Sequence, residues 1–168
     1  MSVSVELKRV TVDELNLLRN LFELTAYDLS ELSGANILDN GQFIANLDVR
    51  IWYEDPHYDL LLIRVDEAIA GFVVIKNLVE EQAYYLNHFF VLRKFRRKRV
   101  GKRAAIMAFD RYIGKWQVSQ FDWNEPAQQF WRRVIQDYVS DPMVEARRAD
   151  DKGPLQHFTN YDRKSVDA

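Results

Sequence analysis

The chain has no cysteine, which removes disulfides, thiolate metal ligands and thiolate nucleophiles from consideration. Six glycines and four prolines in 168 residues leave no Gly/Ser- or Pro-rich linker, so one domain spanning residues 1–168 is expected. No run is long and apolar enough to span a bilayer and no opening stretch resembles a signal peptide; a cytoplasmic protein is the expectation. The three histidines, His57, His88 and His157, are isolated and lack ligand spacing, so no metal site is expected. Strong net charge is also missing. The value of −2 hides a segregation: eight of the eleven residues from Arg93 to Arg103 are basic and none is acidic. From Glu23 to Glu67, ten acidic residues face only Arg50 and Arg64.

What is present is a 48% hydrophobic chain with two alternating periodicities. Val3 to Arg9 alternates as a half-buried strand. Thr11 and Glu14 form a capping box, predicting a helix from Val12 that carries Leu15, Leu18, Leu21, Phe22, Leu29 and Leu32 inward and stops at Ser33-Gly34. A weaker segment follows, with a short helix between Phe43 and Trp52. Strands are expected at Tyr58–Val65, Ala70–Asn77 and Gln82–Leu92, the first two joined by a tight Asp66-Glu67-Ala68 turn. Then come a helix from Val100 to Ile113 capped by Gly114, a strand from Trp116 to Phe121, a helix opened by Asn124 and Pro126, and strands at Val144–Ala149 and Leu155–Tyr161. The order β-α-(α)-β-β-β-α-β-α-β-β predicts an α/β (α+β) fold: a mixed, mostly antiparallel sheet of six to seven strands flanked by helices.

The basic run lies where a central strand turns into a helix. Unpaired N–H groups and the helix dipole at such a start favour an anion, and Arg96, Arg97, Lys98, Arg99 and Lys102 surround that point. A polyanion such as nucleic acid would meet the same cations. The interrupting Val100-Gly101 step and the Ala-rich helix behind it favour a folded cradle over a nucleic-acid patch.

On these residues the chain resembles the GNAT superfamily of acetyl-CoA-dependent N-acyltransferases. Arg96 and Gly101 fit the family's Arg/Gln-x-x-Gly-x-Gly/Ala loop, and Asn124, Ala127 and the pair Phe130-Trp131 fit its Asn-x-x-Ala-x-x-aromatic-Tyr helix. The resemblance implies that acetyl-CoA (coenzyme A) is the donor, its pyrophosphate held by Arg96, Arg97, Lys98, Arg99, Val100, Gly101 and Lys102. Its pantetheine arm is implied to pair with Phe90 and Val91 and to border Asn124, Ala127 and Trp131. Two positions depart from the family: Arg99 replaces its first glycine, and Trp131 its tyrosine acid. Tyr138, about 10 Å further along the helix, is too remote to stand in.

The implied reaction is N-acetylation of a primary amine, on a small molecule or a peptide, by direct attack on the thioester. A backbone N–H around Phe90 and Val91 would hold the carbonyl, and His88, with an ordinary pKa near 6.5, is the candidate base. Asn87, Tyr84 and Tyr85 could instead orient a water. The acceptor is expected between the segment after the first helix and the terminal hairpin, with Tyr27, Asp28, Glu31, Trp52, Tyr53, Glu54 and Asp55 attracting a cationic amine. Two rival readings stay open, a non-catalytic CoA-binding sensor or scaffold and a nucleic-acid-binding module. Homodimer formation is also left open.

Overall fold

A seven-stranded sheet in the order β1-β2-β3-β4-β5-β7-β6 organises the molecule in the computed structural model, which describes residues 3–164. The outermost ends of the expected domain, residues 1–2 and 165–168, lie outside the described residues. The strands are β1 (Val5–Arg9), β2 (Tyr58–Val65), β3 (Ala68–Leu78), β4 (Ala83–Val91), β5 (Lys115–Ser119), β6 (Val144–Arg147) and β7 (Pro154–Thr159). All neighbours are antiparallel except β4 and β5. Helices α1 (Leu15–Ser33) and α2 (Arg50–Glu54) cover one face, and α3 (Val100–Asp110) and α4 (Glu125–Tyr138) the other. Because both faces are covered, β2 and β3 read as continuous apolar runs and not as alternating ones. Leu62, Phe72 and Val74 meet Leu18 and Phe22 of α1, while Leu61, Val73 and Ile75 join the cluster that holds Phe109, Trp131 and Ile135.

The predicted elements are present; strand ends shift by one or two residues, and four further points differ. The first helix opens as a 3-10 turn at Val12–Glu14, because the Glu14 carboxylate reaches back to accept from Thr11 N–H at 3.1 Å; regular α-helix begins at Leu15. Its end at left-handed Gly34 is as expected. The short helix lies at Arg50–Glu54, later than expected. The N–H groups of Phe43 and Ile44 donate to the Glu23 carboxylate at 2.7 and 3.0 Å and so are lost to a helix, and Asn46 has φ 52°. α3 ends at Asp110, since Arg111 and Tyr112 donate to carbonyls three residues back; Gly114 does not cap it in the left-handed state but enters β5, donating to Asn160 Oδ1 at 2.8 Å. The turn between β2 and β3 contains only Asp66 and Glu67, both with positive φ (47° and 72°), as the twist of a two-residue hairpin demands.

The feature that positions the site is the short seam between β4 and β5. They pair only over Ala83–Tyr85 and Lys115–Gln117, and from Leu86 onward β4 has a neighbour on one side only. A register shift between Val74 and Ile75, opposite Leu86–His88, re-aims β4 where the seam ends.

Candidate active site

The backbone phase of β4 decides what the gap offers. Leu92 N–H donates to Ala70 O at 2.8 Å, so Val91 and its partner Gly71 form the narrow, non-hydrogen-bonded type of pair. Val91, and by the two-residue period Phe89, therefore turn N–H and C=O away from β3 and into the gap. Phe90 directs both of its groups at Phe72 on β3. The expectation that Phe90 pairs with a pantetheine arm does not fit this alternation: its backbone groups face β3, and those of Phe89 face the gap. Gly71 is required for the approach: a Cβ there would lie 1.9 Å from Phe90 O.

A cleft of about 800 Å³ runs along this gap, between α1, the end of β4, the β4–α3 loop and the starts of α3 and α4. Phe90, Val91, Arg96, Arg97, Arg99, Gly101, Lys102, Asn124, Ala127 and Trp131 all line it. Lys98 does not: it sits exposed on the outer side of the loop. Val100 is buried in the core and only its backbone is available. The first intrahelical bond of α3 runs from Arg103 N–H to Arg99 O at 3.0 Å, which leaves the N–H groups of Val100, Gly101 and Lys102 without a helical partner. Arg97 and Arg99 both take left-handed φ, 61° and 62°, the region glycine favours, so the loop carries a guanidinium on each bend. Gly101 keeps α4 close: a Cβ there would lie 3.3 Å from the Phe130 ring.

Several cations of the run are already engaged. Arg96 donates through Nε to Val91 O at 2.8 Å and through Nη2 to Asp28 Oδ2 at 2.6 Å, and Arg93 Nε reaches Asp28 Oδ1 at 2.6 Å. Asp28 thus ties α1 to the loop and is not an acceptor-attracting group. Burial pushes its carboxyl up, but the hydrogen bonds and charges of Arg96 and Arg93 outweigh this and hold it below the usual range. Lys102 pairs with Asp137 of α4 at 2.8 Å.

At its inner end the cleft opens into a second cavity of about 450 Å³, with Thr25, Leu29, Phe89, Asn124, Ala127 and Trp131 shared between the two. Phe22, Ile44, Tyr85, Asn87, His88, Ser119 and Arg148 are among its other walls, which places it between α1 and the terminal hairpin, where the acceptor is expected. Several residues assigned to it by sequence lie elsewhere. Glu31 lines the larger cleft, and Tyr53, Glu54 and Asp55 surround a separate hollow with His57 and Tyr112. Tyr27 points to solvent beside Phe43, and Tyr84 stacks on Tyr112 at 4.5 Å on the other face. Trp52 is a wall behind His88.

His88 itself packs edge-on to Phe22 (centroids 4.8 Å apart) and beside Trp52 (5.6 Å), and burial pushes its pKa down to about 4. The ring is neutral at pH 7 but a weak base, which corrects the expectation of an ordinary value. Trp131, at the family's tyrosine position, is buried edge-on against Phe89 and Phe130, both at 4.9 Å. Tyr138 donates to Asp110 Oδ1 at 2.6 Å, and burial with that carboxylate pushes its phenol up, so it supplies no acid. The sequence reading missed Phe89, Arg133 and Arg148: the backbone register reveals Phe89, the packing of α4 beside the cleft Arg133, and the position of the hairpin Arg148.

Among the described residues no cluster suits a metal ion and no helix is long and apolar enough to cross a membrane. A search of curated protein sequences finds no match. Solved structures do match. An acetyltransferase from Thermus thermophilus superposes with a TM-score of 0.70 at 15% identity over 94% of this chain and 98% of its own. The spermidine N-acetyltransferase from Vibrio cholerae, in complex with CoA and spermine, gives 0.64 at 8% identity over 93% and 95%. The PaiA N-acetyltransferase from Thermoplasma acidophilum, in complex with coenzyme A, gives 0.60 at 11% identity over 93% and 99%. The model of the acetyltransferase (GNAT) family matches residues 26–135, a span that contains both cavities' β4, loop and α4 walls, and the chain therefore belongs to that family.

Proposed function

We propose that the chain is an N-acetyltransferase that uses acetyl-CoA to acetylate a primary amine. The observation that carries this is the stretch of β4 backbone at Phe89 and Val91 that faces an open gap beside the N–H-rich start of α3. The Val91 carbonyl already accepts from Arg96 Nε; an amide-bearing arm satisfies the groups that remain, each of which costs about 1–3 kcal/mol if left buried and unpaired. Fold neighbours that hold CoA support a CoA-type donor; acetyl as the acyl group rests on family membership.

Arg97, Arg99 and the N–H groups of residues 100–102 would hold the diphosphate, with Arg96 fixing the loop, and Phe89, Val91, Ala127 and Trp131 would flank the pantetheine. When bound, acetyl-CoA supplies the activated acyl carbon: the amine lone pair forms the C–N bond, the C–S bond breaks, the amine proton goes to solvent and the thiolate leaves. The N–H groups of Phe89 and Val91, turned away from β3, would be available to donate to the thioester carbonyl oxygen. The burial that keeps His88 neutral also favours the neutral form of an amine seated beside it, so a strong protein base is not required. A thiol with a pKa near 8.5 leaves without a tyrosine acid.

Acetyl-CoA at a hundred times its dissociation constant adds about 2.7 kcal/mol, so the melting temperature should rise by several degrees. No rise at millimolar acetyl-CoA would sink the reading. Trp131 and the sequestered Tyr138 favour the second reading, a CoA-binding sensor. Thiol release separates the two: an acceptor accelerates it in the enzyme, and only background hydrolysis is seen in the sensor.

A further inference from the structure

The acidic half of the sequence does not face the acceptor cavity. None of the ten acidic residues from Glu23 to Glu67 lines it, and among the described residues no other carboxylate does. Several of their side chains are committed to other groups. Glu23 accepts from Phe43 and Ile44 N–H, Asp28 pairs with Arg93 and Arg96, Asp55 with His57, and Asp59 with Arg111 and Tyr112. The charged group that does line the cavity is a cation, Arg148, just after β6.

Arg148 is held in place from three sides. Its guanidinium lies over the Phe121 ring, 4.3 Å from the centroid. Nε and Nη2 donate to Asp150 at 3.0 and 2.9 Å, and Nη1 donates to Ser119 Oγ at 3.3 Å. Three of the five guanidinium N–H groups are thereby used, and two on the terminal nitrogens remain. Ser119 Oγ in turn lies 2.6 Å from Tyr85 Oη. Between this polar corner and Phe89 the walls are apolar or aromatic, with Phe22, Ile44 and Phe72 prominent. A polyamine would enter such a cavity with no counter-charge, whereas a carboxylate would find the two remaining N–H donors of an oriented guanidinium whose Nε–Nη2 edge Asp150 holds.

We infer that the acceptor is a primary amine carrying a carboxylate on an apolar scaffold, the carboxylate bound by Arg148 at the β5 corner while the amine faces Phe89. This rests on the transferase reading only for the fate of the amine. Tyr85, at the Arg148 corner, precedes Phe89 by four strand residues, roughly 10–13 Å of backbone, so the two groups are separated by several bonds, as in a short peptide with a free C-terminus and not as in an α-amino acid.

The test uses three probes with CoA present: the tripeptide glycyl-glycyl-phenylalanine, which spans about 10 Å when extended, its C-terminal amide, and spermidine. Binding is measured by calorimetry and turnover, with acetyl-CoA, by thiol release. The acid should bind at least tenfold more tightly than the amide, and spermidine should bind least. Arg148→Met should bring the acid-to-amide ratio close to one. Asp150→Asn lies on an exposed turn and keeps the side-chain oxygen that accepts from Lys152 N–H; by removing the competing charge it should raise the ratio several-fold. Equal binding of acid and amide, an unchanged ratio in both variants, or a preference for spermidine overturns the inference. Carboxylate-dependent binding without thiol release keeps it and removes the transferase reading. Faster release with spermidine does the reverse.

Discussion

His88 shows how far a residue's chemistry depends on neighbours that a sequence does not display. Periodicity places it correctly on β4, one residue before the gap-facing Phe89, but not between Phe22 and Trp52, and that packing takes its pKa from near 6.5 down to about 4. The sign of the consequence is fixed. As pH falls from about 6.5 to about 4 the unfolded chain takes up a proton that the folded one refuses, so this group lowers stability over that window and contributes nothing above it. The total, about 2.5 pH units, is roughly 3 kcal/mol. Denaturant titrations at pH 7 and pH 4 should show the wild-type advantage over His88→Gln shrinking by about that amount. The same variant should leave the pH dependence of the rate above pH 6 unaltered; loss of an inflection near pH 6.5 would reinstate His88 as the base. Asp28 carries the same lesson. Charge patterning marks it as acidic, but its two arginine partners lie 65 and 68 residues away in the chain, a distance only the fold closes.

At the scale of the element, the side-chain alternation of β4 is legible in the sequence and its backbone alternation is not. Hydrophobic period shows which sheet face a side chain takes, but which in-plane edge its N–H takes depends on register with β3, and register is a pairwise property. That is why the sequence points to Phe90 where the backbone points to Phe89, while the basic loop, the α3 start and the Asn124 cap are evident from local chemistry alone. The distinction is measurable residue by residue. In the free protein the amides of His88 and Phe90 are bonded to β3 and should exchange slowly, whereas those of Phe89 and Val91 face the gap and should exchange faster. Acetyl-CoA should slow Phe89 and Val91 at least tenfold and change His88 and Phe90 much less. Uniform slowing of all four would mean that the ligand acts by global stabilisation and not by adding itself to the strand.

Over the whole molecule, charge segregation is the plainest sequence signal and the one the fold transforms most. Taken linearly, the Arg93–Arg103 run is a polycation fit for nucleic acid. In the folded chain Arg93 and Arg96 share Asp28, Lys102 pairs with Asp137 and Arg103 donates to the Val3 carbonyl, so half of the run is engaged within the fold, with Asp28 as the one contact from the acidic half among the described residues. Among the described residues, Lys94, Arg97, Lys98 and Arg99 are the members of the run without an anionic or carbonyl partner, and they surround one bend instead of forming a stripe. Counterion release scales with the phosphates neutralised, about 0.9 per contact on duplex DNA, so four contacts give a log–log salt slope no steeper than about −4. Fluorescence anisotropy with a labelled duplex, titrated from about 50 to 200 mM salt, should therefore show weak binding with a shallow slope. Millimolar CoA should abolish it, because the diphosphate site proposed above is the same bend. A slope near −8, insensitive to CoA, would require the internal pairs to open and would restore the nucleic-acid reading in place of the acyltransferase one.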